Sequence, residues 1–207
     1  MKKDTKYLLL GIGAGIAAVL TIAFLMSKLK GVKCKNSFLF IGDSNTAGSN
    51  SYADKFMSYC KNPKNKKIAQ SGAKTDWMLS QLSSELKKNK YDVVTILGGS
   101  NDIFATLSID EAKSNMDKML NTAKNSGAKV VVISPPYKGN FPSTTQKHWD
   151  LINDWNKYLK SHKVPIAFID FSKIVQDKSL FASDNQHVNS LGHNILMQAY
   201  LKKLNIA

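Results

Sequence analysis

Hydrophobic positions divide the chain into two unlike parts. From Tyr7 to Met26 the run YLLLGIGAGIAAVLTIAFLM carries no charged side chain. A helix over it would span about 30 Å, the depth of a bilayer hydrocarbon core. Lysines bracket the run, with Lys2, Lys3 and Lys6 before it and Lys28, Lys30, Lys33 and Lys35 after it. A cleaved signal peptide would have a shorter apolar region followed by a small-x-small site, whereas SKLKGVKCK follows here. The pattern predicts one uncleaved N-terminal transmembrane helix, with residues 1–35 as anchor and basic flanks and residues 36–207 as a separate folded domain.

In that second part, short apolar or β-branched runs alternate with stretches of helical period. The strand candidates are Ser37–Ile41, Lys67–Ala69, Asp92–Leu97, Lys129–Ile133 and Ile166–Asp170. Between them Thr75–Lys88, Asp110–Asn125, Thr144–Lys160 and Ser190–Leu204 place apolar residues three and four apart, as in Trp77, Met78, Leu82 and Leu86. Ser108 and Glu111 form a capping-box pattern ahead of the second helix. Strands separated by helices imply parallel crossovers, an α/β fold and helices on both faces of the sheet. Loops at the strand C-termini then become the place to look for chemistry.

Charge narrows the options. The formal net charge is +14, and all 29 basic side chains are lysine. Without arginine there is no bidentate guanidinium recognition of guanine, phosphate or carboxylate. A nucleic-acid partner is set aside, because a reader motif and an aromatic-interleaved basic stripe are also missing. Diffuse lysine charge still suits a membrane surface or an anionic polymer. Residues 1–35 carry +6 of the total, where lysines anchor a span at the headgroups. Counting lysines on the two sides nearly balances; a short internal tail and an extracytoplasmic domain are expected. Gly11 and Gly15 are a small-xxx-small pair on which two copies could pack as a homo-oligomer, although glycine is common in spans in any case. Cys34 and Cys60 are too few for a disulfide scaffold. They leave open one bridge in an oxidising compartment or two free thiols.

Four polar blocks sit where strands end. In FLFIGDSNTAG, Ser44 directly follows the first strand; in IAQSGAKTDW, Gly72 stands between strand and helix. A glycine there lets a backbone N–H approach a ligand. In TILGGSNDIF, Asn101 has a side-chain amide able to donate to a developing oxyanion, and Asp102 beside it could be catalytic but better suits a structural role, bonding loop amides. In SDNQHVNSLGH, Asp184 and His187 stand three apart, so the carboxylate can hold the imidazole tautomer while the other ring nitrogen faces a nucleophile. As a metal site the pair lacks further ligands at suitable spacing. His148 and His162 read as surface residues, and His193 is given no role.

Each block is weak alone, but the ordered series GDS, Gly, GxND and DxxH resembles the SGNH hydrolase family, the GDSL-type esterases and lipases, from about Phe38 to Leu204. The resemblance implies a three-layer α/β/α sandwich with a flavodoxin-like five-stranded parallel sheet. It also implies Ser44 as nucleophile, Asp184 and His187 as its triad partners, and an oxyanion hole from Ser44, Gly72 and Asn101, with no cofactor and no metal. The block reads GDSN where the family name suggests GDSL, and QSG where an asparagine often precedes the glycine. A G-x-S-x-G elbow, which the α/β-hydrolase fold would need, is absent. The reading is a membrane-anchored esterase acting on acyl or acetyl groups of a lipid, glycan or cell-wall polymer. The alternatives are an O-acyltransferase, or a non-catalytic structural or binding protein of a membrane-bearing assembly. Substrate choice would rest on loops near Thr46–Tyr52, Ile103–Leu107 and Tyr137–Thr145.

Overall fold

The computed structural model describes residues 31–136 and 145–206. The apolar run Tyr7–Met26 and most of the loop Tyr137–Thr145 lie outside the described residues. Among the described residues no helix is long and apolar enough to cross a membrane.

The chain opens with β1 (Val32–Lys33), β2 (Phe38–Gly42), a short α1 (Ser44–Ala47), α2 (Tyr52–Tyr59), β3 (Cys60–Lys61) and β4 (Lys66–Ala69). It continues through α3 (Thr75–Lys88), β5 (Val93–Leu97), α4 (Ser100–Thr106), α5 (Asp110–Asn125) and β6 (Lys129–Ile133). The last elements are α6 (Gln146–Ser161), β7 (Ala167–Ile169), α7 (Phe171–Ile174), a 3-10 turn at Lys178–Leu180 and α8 (Ser190–Lys203). Five strands pair in the order β4-β2-β5-β6-β7, every pair parallel. This is the expected five-stranded flavodoxin-like sheet.

Side-chain alternation sends each strand's residues to two different layers. Leu39, Ile41, Val94, Ile96, Val130 and Val132 share one core with Met78 and Leu82 of α3, Met116 and Leu120 of α5, and Trp155 of α6. On the other face Phe38 and Phe40 join Tyr52 and Phe56 of α2 and Tyr200 of α8 in an aromatic cluster, with ring centroids as close as 4.6 Å. The tyrosine hydroxyls of this layer have partners, Tyr200 sharing a hydrogen bond of 2.5 Å with Thr95 and Tyr52 one of 3.5 Å with Thr46. Burial and those bonds account for two layers of unequal chemistry, one aliphatic and methionine-rich, the other aromatic.

Three local features depart from the sequence expectation. The Ser108–Glu111 capping box does not form. Helix α5 starts one residue later, after Ile109, and the Ser108 hydroxyl instead accepts from Asp110 N–H at 3.2 Å and donates to the Asp110 carboxylate. A capping box does form at Ser51 and Asp54, starting α2, which periodicity over so short a stretch did not reveal. The small parallel pair β1–β3 is joined by a disulfide between Cys34 and Cys60, so the open question of the thiols resolves to a bridge. The bridge ties the entering segment to the end of α2 across a sequence separation of 26. A loop of that length contributes about 3 kcal/mol on the chain-entropy account. Reduction, or Cys34→Ser with Cys60→Ser, should therefore lower the thermal midpoint of the full chain by several degrees, read by calorimetry with and without reductant. An unchanged midpoint would mean that β1 and Cys34 contribute nothing to the folded domain.

Candidate active site

The site grows from the centre of the sheet. The chain leaves β2 outward to β4 and then returns to β5 on the other side, so β2 and β5 flank the point where strand order reverses. Open α/β sheets bind ligands at that crevice, beyond the strand C-termini. Gly42 ends β2 opposite Leu97 at the end of β5, and Asp43 N–H donates to the Leu97 carbonyl at 3.3 Å. A Cβ at Gly42 would lie 2.1 Å from Thr46 Oγ1, so only glycine lets α1 fold back over the strand end. Ser44 is the first residue of α1 and is half-buried.

Asp43 caps α1. Its carboxylate is fully buried, accepts from Asn45 N–H at 3.0 Å, and accepts from the Ser100 hydroxyl at 3.3 Å. Burial pushes this carboxyl up to about 6, against the two hydrogen bonds and the charge of His187, which lower it. Asp43 thus links the Ser44 turn to the turn that carries Asn101.

That second turn is shaped from below by a tryptophan. Trp155 Nε1 donates to the Gly98 carbonyl at 3.0 Å, and its ring occupies the space that a Gly99 side chain would need. Gly99 also has φ +103, a left-handed geometry that only glycine adopts without strain. Asn101 follows in α4 and donates to the Ala73 carbonyl at 2.9 Å; its amide has a second N–H. Asp102 is buried and accepts from both the backbone N–H and the hydroxyl of Thr75 at the start of α3. Asn115 reaches the same hydroxyl from α5. The expected structural role of Asp102 is what the geometry displays. Gly72 sits with φ +74 in the turn closed by Ala73 N–H to the Gln70 carbonyl, and space for a side chain is open around it. A type II turn needs a positive φ at its third residue, which is where Gly72 stands.

Asp184 and His187 are paired. Asp184 Oδ1 accepts from the backbone N–H groups of Gln186 and His187, both at 2.9 Å, and Oδ2 meets His187 Nδ1 at 2.6 Å. An ionised carboxylate only accepts, so Nδ1 carries a proton, and whenever the ring is neutral Nε2 is its acceptor. Burial pushes the Asp184 carboxyl up, but the hydrogen bonds from His187 and Gln186 outweigh it and hold the group down at about 2. The loop bearing this pair meets the Ser44 turn where Val188 N–H reaches Asn45 Oδ1 at 3.4 Å.

Ser44, Asn101 and Gln186, the neighbour of His187, line one cavity together with Asn45 and Ser100. Its remaining wall is apolar, from Phe104, Pro135, Pro136, Trp149 and Ile152. Gly72 and His187 are not among the lining residues, and among the described residues no hydrogen bond joins Ser44 to His187. Hydrogen bonds of this kind are often long without substrate and tighten in its complex. Asp43 and Trp155 were not singled out as part of this region from sequence. Asp43 stands in the GDS motif itself, while a tryptophan at helical spacing looks like any core residue.

One further histidine is buried in the last helix. This is His193 in α8, and its Nδ1 has no hydrogen-bond partner among the described residues. Burial lowers its imidazole to about 4, with Lys55 adding to the effect and Asp54 opposing it. Between pH 6.5 and 4 the unfolded chain takes up a proton at this histidine that the folded chain refuses, so stability falls as pH falls. Asp43 has the opposite sign: its folded pKa is raised, and the folded chain gains stability as pH drops below 6. His193→Gln should remove only the first effect. The variant's loss of stability from pH 7 to 4.5 should be smaller than the native chain's by roughly 2 kcal/mol, measured by denaturant unfolding at both pH values. Equal losses would contradict the assignment.

The GDSL-like Lipase/Acylhydrolase family matches residues 40–195 of the chain. Among solved structures, a catalytic mutant of Axe2, an acetylxylan esterase from Geobacillus stearothermophilus, superposes with a TM-score of 0.67 at 17% identity, covering 84% of this chain and 95% of that one. LAE5, an alpha/beta hydrolase enzyme from the metagenome of Lake Arreo, Spain, gives 0.66 at 14% identity, covering 84% and 97%. A member of the lipolytic protein G-D-S-L family from Veillonella parvula gives 0.65 at 14% identity, covering 83% and 99%. At these identities the likeness is one of fold. No curated protein matches the sequence.

Proposed function

Because the chain belongs to the GDSL-like lipase/acylhydrolase family, the SGNH hydrolases, and is by that membership a carboxylic ester hydrolase, we propose that Ser44, His187 and Asp184 are its catalytic triad. The observation that carries this reading is the Asp184–His187 pair, which presents Nε2 as a base on the loop whose neighbour Gln186 shares a cavity with Ser44. Unassisted serine is a poor nucleophile. His187 Nε2 takes the Ser44 proton as Oγ attacks the ester carbonyl, and Asp184, held ionised, stabilises the imidazolium. The oxyanion is received by the Ser44 N–H, one of the first-turn amides a helix leaves unsatisfied. The Gly72 N–H and the second N–H of Asn101 complete the hole. His187 then returns the proton to the leaving alcohol, and water, activated by the same imidazole, releases the acid and restores Ser44.

The substrate in this reading is a short acyl ester, acetyl above all, carried on a glycan or polymer. The apolar wall beside Ser44 holds two aromatic rings, Phe104 and Trp149, of a kind that suits the faces of sugar rings. The acetylxylan esterases of the same fold act on such an ester. The run Tyr7–Met26 tethers the enzyme to a membrane with the domain outside, in an oxidising compartment where the Cys34–Cys60 bridge persists.

Full-length protein in detergent should hydrolyse 4-nitrophenyl acetate, and do so faster than the octanoate. Ser44→Ala should abolish turnover. Asn101→Ala should lower kcat by about 10²–10³ with KM little changed, as for loss of one oxyanion donor. Turnover by Ser44→Ala equal to the native rate would overturn the triad, and a preference for octanoate would overturn the short-acyl reading.

A further inference from the structure

The two edges of the sheet differ in charge, and the strand-entrance edge is the one rich in exposed lysine. Every strand of the five is entered through lysine: Lys35 precedes β2, Lys64 precedes β4, Lys90 precedes β5, Lys129 opens β6 and Lys163 precedes β7. All of these side chains are exposed. Among the described residues no such row of lysines marks the strand exits, where Asp43 follows β2 and Asp102 follows β5, both buried, and Asp170 follows β7.

Helix dipoles explain part of this polarity. In a parallel α/β fold the helix C-termini fall at the strand-entrance edge, where lysine complements their partial negative charge. Lys87 and Lys88 of α3, Lys124 of α5, Lys160 of α6, and Lys202 and Lys203 of α8 occupy such last turns. The strand-entrance lysines lie outside those turns, and so do Lys33 in β1 and Lys61 in β3. Their charge exceeds what the dipoles ask for. Two acidic groups sit at this edge: Glu85 is paired with Lys66 and also accepts from Tyr91 and Asn89, while Asp92, held ionised by the backbone and hydroxyl of Ser37, offsets part of the charge of Lys64.

The same edge is where the chain arrives. The segment entering β2 is held there by the Cys34–Cys60 bridge and by Asn62 Nδ2, which reaches the carbonyls of Cys34, Lys35 and Asn36 at 3.0–3.2 Å. Only residues 27–31 separate the end of the apolar run from β1, about 20 Å at full extension. The cavity beside Ser44 opens at the opposite edge, a strand length of about 17 Å away.

We propose that the strand-entrance edge is a membrane-seating surface, which lies on the headgroup phosphates of an anionic bilayer and turns the active site outward. An exposed lysine near an anionic leaflet is attracted to it, and this edge is the one at which the chain enters the folded domain. The consequence for substrate is direct. An ester presented on a glycan or polymer away from the bilayer reaches Ser44, while a lipid of the supporting leaflet is at the wrong edge. The seating surface rests on the anchored reading above for its tether, and on the esterase reading only for this consequence.

The test reconstitutes the full chain in vesicles of phosphatidylcholine alone or with about 30% phosphatidylglycerol, the anionic lipid supplying the attraction. A membrane-impermeant acetylating reagent and mass spectrometry then read each lysine. With the anionic lipid, labelling of Lys61, Lys64, Lys90, Lys129 and Lys163 should fall about fivefold, while Lys74, Lys173 and Lys178 on the catalytic side stay unchanged. About 0.5 M salt should erase the difference by screening. The triple variant Lys64→Glu, Lys90→Glu, Lys129→Glu should lose the protection of Lys61 and Lys163 yet hydrolyse 4-nitrophenyl acetate at the native rate, which shows that it is folded. Equal labelling in both lipids overturns the proposal, as does protection of Lys74, Lys173 and Lys178. Equal protection by soluble polyphosphate over neutral vesicles also overturns it, since the edge would then be a general polyanion site. Acetate release in the same vesicles is scored separately: release without protection removes the seating surface alone, and protection without release removes the esterase reading alone.

Discussion

The register of β2 against β5 is the constraint on which the rest of the site depends. With Gly42 opposite Leu97, both strands end at one level, and Asp43 N–H closes the ladder onto the Leu97 carbonyl. Two turns then leave the sheet side by side, one carrying Ser44 and the other Asn101. A slip of one residue would turn the alternation inside out. Leu39 and Ile41 would exchange their aliphatic layer for the aromatic one, and Ser44 would no longer face the cavity it shares with Asn101.

Three aspartates around these turns hold different kinds of ground. Asp43 and Asp102 are buried, and each spans two segments: Asp43 joins α1 to Ser100, and Asp102 joins α4 to Thr75. Burial raises both carboxyls, so their value lies in fixed hydrogen bonds and not in freely available charge. Asp184 is exposed and held low by three donated hydrogen bonds, which keeps it ionised beside His187. The same residue type thus serves as scaffold where water is excluded and as a charge partner where water and N–H groups support the anion.

Much of this was legible in the sequence because long elements repeat their pattern. The period of α3 and α5 gave their limits, Thr75–Lys88 and Asp110–Asn125, to the residue. The β-branched runs of β5 and β6 marked strands buried on both faces. Short elements were not legible. Helices α1, α4 and α7 are too brief to show a period, and the β1–β3 pair of two residues each becomes visible only once Cys34 meets Cys60 in space. The Ser108 cap failed because a local pattern competes with the geometry of the preceding turn, where Leu107 has a positive φ. The site residues could be named from the order of the four blocks, but not the means that hold them. Trp155 beneath Gly98 and Gly99 joins positions far apart in the chain, as does the link from Val188 to Asn45. Such contacts leave no periodic trace.

The central claim is that Ser44 is a nucleophile activated by His187. The most direct measurement treats the full-length protein with a fluorophosphonate, which phosphonylates an activated serine, and locates the adduct by peptide mass spectrometry. The account predicts one adduct, on Ser44, forming at a rate that collapses in His187→Ala while the variant keeps its folded circular-dichroism signature. An adduct on another serine, or labelling of Ser44 that is indifferent to the loss of His187, would contradict it.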